Sequence, residues 1–149
     1  MSDNWLKYIP TDPEFIPTAS AAANAERLLA SFVPLADKVR SEFPGSVRFF
    51  DPGANWSGVE CSACGADAQS WWNDAMDRAA QTHFRDLRIV TRCCGASLSL
   101  NELRYPWAAG FASFALKAMN PNIKTLPADQ LKQLAAILGC SLREIAVHL

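Results

Sequence analysis

YPWAAGFASFALKAMNP, residues 105–121, carries only two polar side chains between Trp107 and Met119, namely Ser113 and Lys117. Spaced four apart, they would share one narrow stripe of a helix. Pro106 suits a first helical turn and Pro121 a stop. The run is therefore expected to be a helix buried on most of its circumference. It is too short for a bilayer, which needs about 20 apolar residues. Assigning it to a helix leaves the sheet to be built from other segments.

Those segments lie outward from it. NWLKYIP (4–10) has strand character and ends at Pro10, and VRFFD (47–51) is bounded by Pro52 and Gly53. Ala25, Leu28, Leu29, Phe32, Val33 and Ala36 follow helical spacing, interrupted by Pro34. A break near residue 33 with a second short helix to about Phe43 is expected. SWWNDAMDRAAQTHF (70–84) predicts a helix with Ser70 as N-cap and Trp72, Met76, Ala79 and His83 along one face. LRIVT (87–91) and SLSL (97–100) alternate as strands. LPADQLKQLAAILG (126–139) is a helix closed by Gly139. REIAVHL (143–149) alternates like a closing strand, although Ser141 and Glu144 also fit a helical capping box.

The chain has 149 residues, half of them hydrophobic, and a net charge of −1. One domain with a folded core is expected, with no general attraction to nucleic acid or anionic membrane. No signal peptide or membrane-spanning run is visible, so a cytoplasmic location is the expectation. Five cysteines, two of them adjacent, suit a metal site better than a secreted disulfide framework.

Four of them fall in two short stretches that each end in Cys-Gly. In Cys61-Ser62-Ala63-Cys64-Gly65 the spacing can aim both sulfurs at one metal, and the glycine permits a positive φ. The second stretch, TRCCG (91–95), has Cys94-Gly95 in the same place. Thr91 stands where the turn's first cysteine belongs, and Cys93 is displaced from it by two. Cys61, Cys64, Cys93 and Cys94 are therefore the expected ligands of a structural Zn2+, closed to water and thus not catalytic. A rival set replaces Cys93 with His83. A redox pair is disfavoured because Gly65-Ala66-Asp67 prevents a helix from opening at Cys64. Cys140 is expected to be a small packed residue.

Catalytic motifs are thin. There is no phosphate-cradling Gly-x-x-x-x-Gly-Lys-Ser/Thr and no Gly-x-Ser-x-Gly, and His83 and His148 are the only histidines. Asp74 and Asp77 suit a solvated helix face. Between Cys61 and Gly95, Arg78, Arg85, Arg88 and Arg92 are matched by Asp67, Asp74, Asp77 and Asp86. Without a basic surplus, nucleic-acid binding is not expected there. Trp56, Trp71, Trp72 and Trp107 crowd the same region. They are expected to fill the core, with Trp71 the exposed member and the contact for a protein partner.

YIPTDP (8–13), FFDPGANWSGVECSACG (49–65), WW (71–72), CCG (93–95), SLNELRYPWAAGFASFALKAMNP (99–121) and LGCSLREI (138–145) together resemble a family of uncharacterised small bacterial zinc-ribbon proteins. The resemblance covers nearly the whole chain. Its specific parts are the two Cys-Gly turns and the Leu-Asn-x-Leu-x-Tyr-x-Trp-x-x-Gly-Phe block. Some members are labelled sugar ABC transporter ATPase, a label this chain's lack of a phosphate-binding loop contradicts. The resemblance implies Cys61, Cys64, Cys93 and Cys94 as zinc ligands and no particular activity.

The expectation is thus an α+β domain over 1–149, ferredoxin-like in its candidate arrangement, with strands near 5–9, 47–51 and 143–148. A zinc ribbon is inserted at 58–100. The expected role is a non-catalytic, zinc-binding, protein-binding or adaptor module. The alternative is an enzyme with its site between ribbon and sheet, around Asp51, Asn55 and Asn101; a nucleic-acid-binding ribbon is the remote third.

Overall fold

A computed structural model describes residues 3–149. In chain order the elements are β1 (Asn4–Pro10), α1 (Ala19–Phe32), β2 (Lys38–Glu42), β3 (Arg48–Phe50), α2 (Gln69–Ala80), β4 (Arg88–Val90), β5 (Ser97–Ser99), β6 (Gly110–Ala112), β7 (Ala115–Met119), α3 (Ala128–Leu138) and β8 (Leu142–His148).

Four strands form one sheet in the order β2-β7-β1-β8, with every neighbouring pair antiparallel. Two β-α-β units build it, β1-α1-β2 and β7-α3-β8, and their strands interleave. This is the ferredoxin-like split βαβ arrangement, in the expected α+β class. Thr18 caps α1 by accepting from the Ala21 amide at 3.0 Å, and Gly139 ends α3 at φ 82°. Both helices pack on the sheet face that carries Leu6, Tyr8, Leu116 and Ala118. Strand side chains alternate between faces. Accordingly Ile9, Ala115, Ile145 and Val147 point the other way, where Phe50 and Ala112 of the β3–β6 pair cover them.

The long connection from β2 to β7 holds everything else, including α2 and the β4–β5 hairpin. Arg143 on β8 fastens it to the sheet. Its guanidinium donates to the Ala109 carbonyl at 2.6 Å and to the Asn101 side chain at 3.2 Å. Asn101 in turn accepts from the Phe111 amide at 3.0 Å and donates to the Thr11 carbonyl at 3.1 Å. The fit leaves no room at Gly110, where a Cβ would lie 2.5 Å from the Arg143 guanidinium.

Five expectations are corrected. Residues 106–120 are not a helix but contain β6 and β7. β7 is the sheet's inner strand between β2 and β1, with Leu116 and Ala118 under the helices and Ala115 under the inserted segment. A strand covered on both faces has an unbroken apolar run, which periodicity cannot separate from a buried helix. The short second helix toward Phe43 is the edge strand β2, whose charged Lys38, Arg40 and Glu42 disguise its alternation. The 47–51 strand exists as β3, but it pairs with β6 outside the main sheet. Trp71 is buried, at 5% exposure, rather than exposed. It lines up with Ala68, Ala75 and Ala79 on the inner face of α2, leaving Trp72 and Met76 at that face's margin. The helix starts at Gln69 without a side-chain cap, so Ser70 is not the N-cap. The closing segment is the strand β8, as its alternation led one to expect, and the capping-box alternative is not used.

Candidate metal centre

The inserted segment builds two turns of the same form. In the first, the Cys61 amide donates to the Ala66 carbonyl at 2.8 Å, and the Gly65 amide donates to the Cys61 carbonyl at 2.8 Å. In the second, the Thr91 amide donates to Ala96 at 2.9 Å, and the Gly95 amide donates to Thr91 at 2.8 Å. Thr91 therefore matches Cys61, Cys94 matches Cys64, and Gly95 matches Gly65. The glycines have φ of 79° and 71°, and a Cβ on either would meet no atom within 4 Å. Their requirement is conformational, not spatial: a left-handed residue must close each turn.

Across the gap between the turns, the Cys61 and Cys94 sulfurs are 3.8 Å apart, and those of Cys64 and Cys93 are 3.4 Å apart. All four lie within 4.8 Å of one another. Four sulfurs each about 2.3 Å from a tetrahedral zinc would be separated by about 3.8 Å. The spacing suits such an ion. All five cysteines are free thiols, so no disulfide competes for the cluster.

Adjacent strand residues face opposite ways, yet Cys93 and Cys94 both point inward. They can do so because they lie in the turn between β4 and β5, not in either strand. His83 takes no part. It follows α2 in the left-handed region, at φ 56°, with its side chain exposed and outside the converging group.

Electrostatics point the same way. The Cys64 amide aimed at the Cys61 sulfur is the chief cause that holds this thiol down at about 6. Cys93 is pushed up to about 12, first by desolvation and then by the neighbouring Cys64 and Cys61 thiols. Four thiols so close cannot all ionise by themselves, whereas a divalent cation among them reverses that balance.

Thr91 is the residue whose role the sequence did not disclose. It is 1% exposed, and its hydroxyl oxygen lies 3.1 Å from the Cys94 sulfur while accepting from the Ala96 amide at 2.9 Å. Its one available hydrogen is thus free for the sulfur. The signal was present in the sequence, since Thr91 occupies a first-cysteine position.

Beneath the cysteines, aromatic side chains fill the module. Phe49 packs against Trp72, Tyr105 and Phe111 at ring-centroid separations of 5.6, 6.0 and 4.9 Å. Trp56 lies 5.1 Å from Trp72. The Trp72 indole donates to the Tyr105 hydroxyl at 3.3 Å, and that hydroxyl donates to the Leu100 carbonyl at 2.7 Å. Trp56, Trp71 and Trp72 are core, and Trp107, at 45%, is the exposed tryptophan here.

The residues considered for catalysis are otherwise engaged. Asp51 accepts from the Gly53 amide at 2.7 Å, and Asn55 donates to the Ala146 carbonyl at 3.1 Å. Asn101 belongs to the Arg143 clasp. Of these three only Asn55 lines the open cleft of about 720 Å³ that also includes Trp5, Trp107, Asn120 and His148. Asp74 pairs with Arg92 at 3.3 Å. Among the described residues no helix is long and apolar enough to cross a membrane.

No family model, curated protein or solved structure matches the chain.

Proposed function

We propose that Cys61, Cys64, Cys93 and Cys94 bind one structural Zn2+, making the inserted segment a zinc ribbon, and that the protein acts by binding rather than by catalysis. The observation that carries this reading is the convergence of four sulfurs from two matched turns at the spacing of a tetrahedral site. Four thiolates leave zinc no open position for a water or a substrate. The ion's part is to join two turns about 30 residues apart in a segment whose β4–β5 hairpin is only three residues per strand. So short a hairpin is marginal alone.

Elemental analysis of protein purified without chelator tests this directly. About one zinc per chain is expected. Less than a tenth of an equivalent would refute the metal assignment.

A further inference from the structure

The main sheet has helices on one face only. On the other, the inserted segment covers Ile9, Ala115, Ile145 and Val147, and beside them lie the exposed Lys38 and Arg40 and the partly buried Trp5, Lys7, Lys117 and Met119. Their facing follows from strand alternation, since Leu6, Tyr8, Val39, Leu116 and Ala118 all pack toward the helices.

Pairing aligns the charges. Arg40 on β2 is directly opposite Lys117 on β7, and Lys117 is directly opposite Lys7 on β1. Three cations therefore stand abreast across three neighbouring strands, a row about 10 Å wide at normal strand spacing. Like charges directly opposite destabilise a sheet. Arg48 adds a fourth cation, with its guanidinium 4.3 Å from the Phe50 ring centre.

Two carboxylates, Glu42 and Asp51, act on this group of cations. Glu42 pairs with both Lys117 and Arg48. Among the described residues neither Lys7 nor Arg40 has a carboxylate within ion-pair distance. Lys7 is also half-buried, and burial followed by the charge of Lys117 lowers its ammonium below the ordinary range. The Lys7 and Lys117 ammonium groups lie 5.9 and 5.2 Å from the centre of the Trp5 indole.

We propose that this basic patch of the sheet, with Arg40, Lys117 and Lys7 in register beside Trp5, binds the phosphodiester backbone of a single-stranded nucleic acid. A flat row of cations cannot enter a duplex groove, but it can track an extended polyanion, and an adjacent indole offers a surface to unpaired bases. The charge balance of residues 61–95 does not bear on this face, whose basic residues come from four separate strands. The site is independent of the cysteine cluster, so zinc content and nucleic-acid binding can fail separately.

The test is fluorescence anisotropy of the full-length protein with labelled 12-nucleotide RNA and DNA strands of mixed sequence, a 12-base-pair duplex, and a poly-glutamate competitor. Three phosphate contacts give a slope of log K against log salt of about −2, or roughly 20-fold weaker binding at 200 mM than at 50 mM salt. Lys7→Met with Arg40→Gln removes two contacts. It is expected to weaken binding more than about tenfold at 50 mM and to flatten the slope to about −0.7. The same variant is expected to melt no lower than the native protein, because it relieves repulsion. Lys132→Gln, on exposed α3, is expected to leave binding unchanged. A preference for RNA or for DNA names the source of the strand. No binding at 50 mM, duplex bound as tightly as single strands, displacement by poly-glutamate at equal charge, or native affinity in the double variant would each overturn the proposal.

Discussion

The Thr91 hydroxyl lies 3.1 Å from the Cys94 sulfur, at the place in its turn that Cys61 holds in the other. One turn thus supplies its outer ligand directly, and the second supplies a hydrogen bond there and recruits Cys93 from inside the turn. Hydrogen bonds to a metal ligand orient it and tune its basicity. Thr91→Val keeps the shape, removes the donor and leaves the Ala96 amide unpaired. Zinc affinity is expected to fall about 10-fold or more, measured by chelator competition, with Thr91→Ser restoring most of it. Unchanged affinity in the valine variant would show that the contact is incidental.

The adjacent cysteines give a second test. Cys93→Ala is expected to lose zinc or hold it weakly, while His83→Ala keeps it, because His83 is exposed and outside the cluster. The reverse pattern, read by metal content after gel filtration, would return His83 to the ligand set.

Cys94→Ser is expected to cost far more stability than Cys140→Ser. A structural zinc contributes on the order of 10 kcal/mol to a small fold. Cys140 is partly buried against the helix-side core, and its loss is worth about 1 to 2 kcal/mol. Thermal melts that coincide, with zinc retained in both, would remove Cys94 from the site.

Asn101 separates a structural role from a catalytic one. Asn101→Ala would unpair the buried Phe111 amide and remove one of the three acceptors of the Arg143 guanidinium. The expected cost is about 2 to 3 kcal/mol in urea unfolding, with zinc content unchanged. A variant as stable as the native protein would show that the clasp does not secure the inserted segment.

Both tyrosines are expected to resist ionisation. Burial pushes Tyr105 up to about 12, and burial together with Glu144 raises Tyr8. The folded state therefore keeps phenolic protons that the unfolded chain releases near pH 10, so stability falls as pH rises above that value. At about pH 11, where an ordinary tyrosine is mostly ionised, the folded protein should show little phenolate absorbance until it unfolds. Full phenolate absorbance with the fold intact would contradict the burial of both rings.

Legibility in the sequence followed the kind of signal available. Gly65 and Gly95 announced their turns because only a left-handed residue closes them, and Gly139 marked the end of α3 for the same reason. β8 showed through its alternation. β7 did not, because Ala115 meets one layer and Leu116 the other, which erases the period that identifies a half-buried strand. β2 was hidden for the opposite reason, as an edge strand with charges on its accessible face. The basic row was invisible along the chain, because residues 7, 40 and 117 become neighbours only through pairing. Trp71 was misplaced because Ala68 and Ala75, too small to dominate the helical pattern, define the face that is buried.

Zinc K-edge X-ray absorption of the purified protein tests the central claim most directly. Four Cys thiolates predict a shell of four sulfurs at about 2.3 Å and no light scatterer at about 2.0–2.1 Å. Three sulfurs with one nitrogen or oxygen at the shorter distance would contradict the assignment of Cys93 and the closed, non-catalytic site built on it.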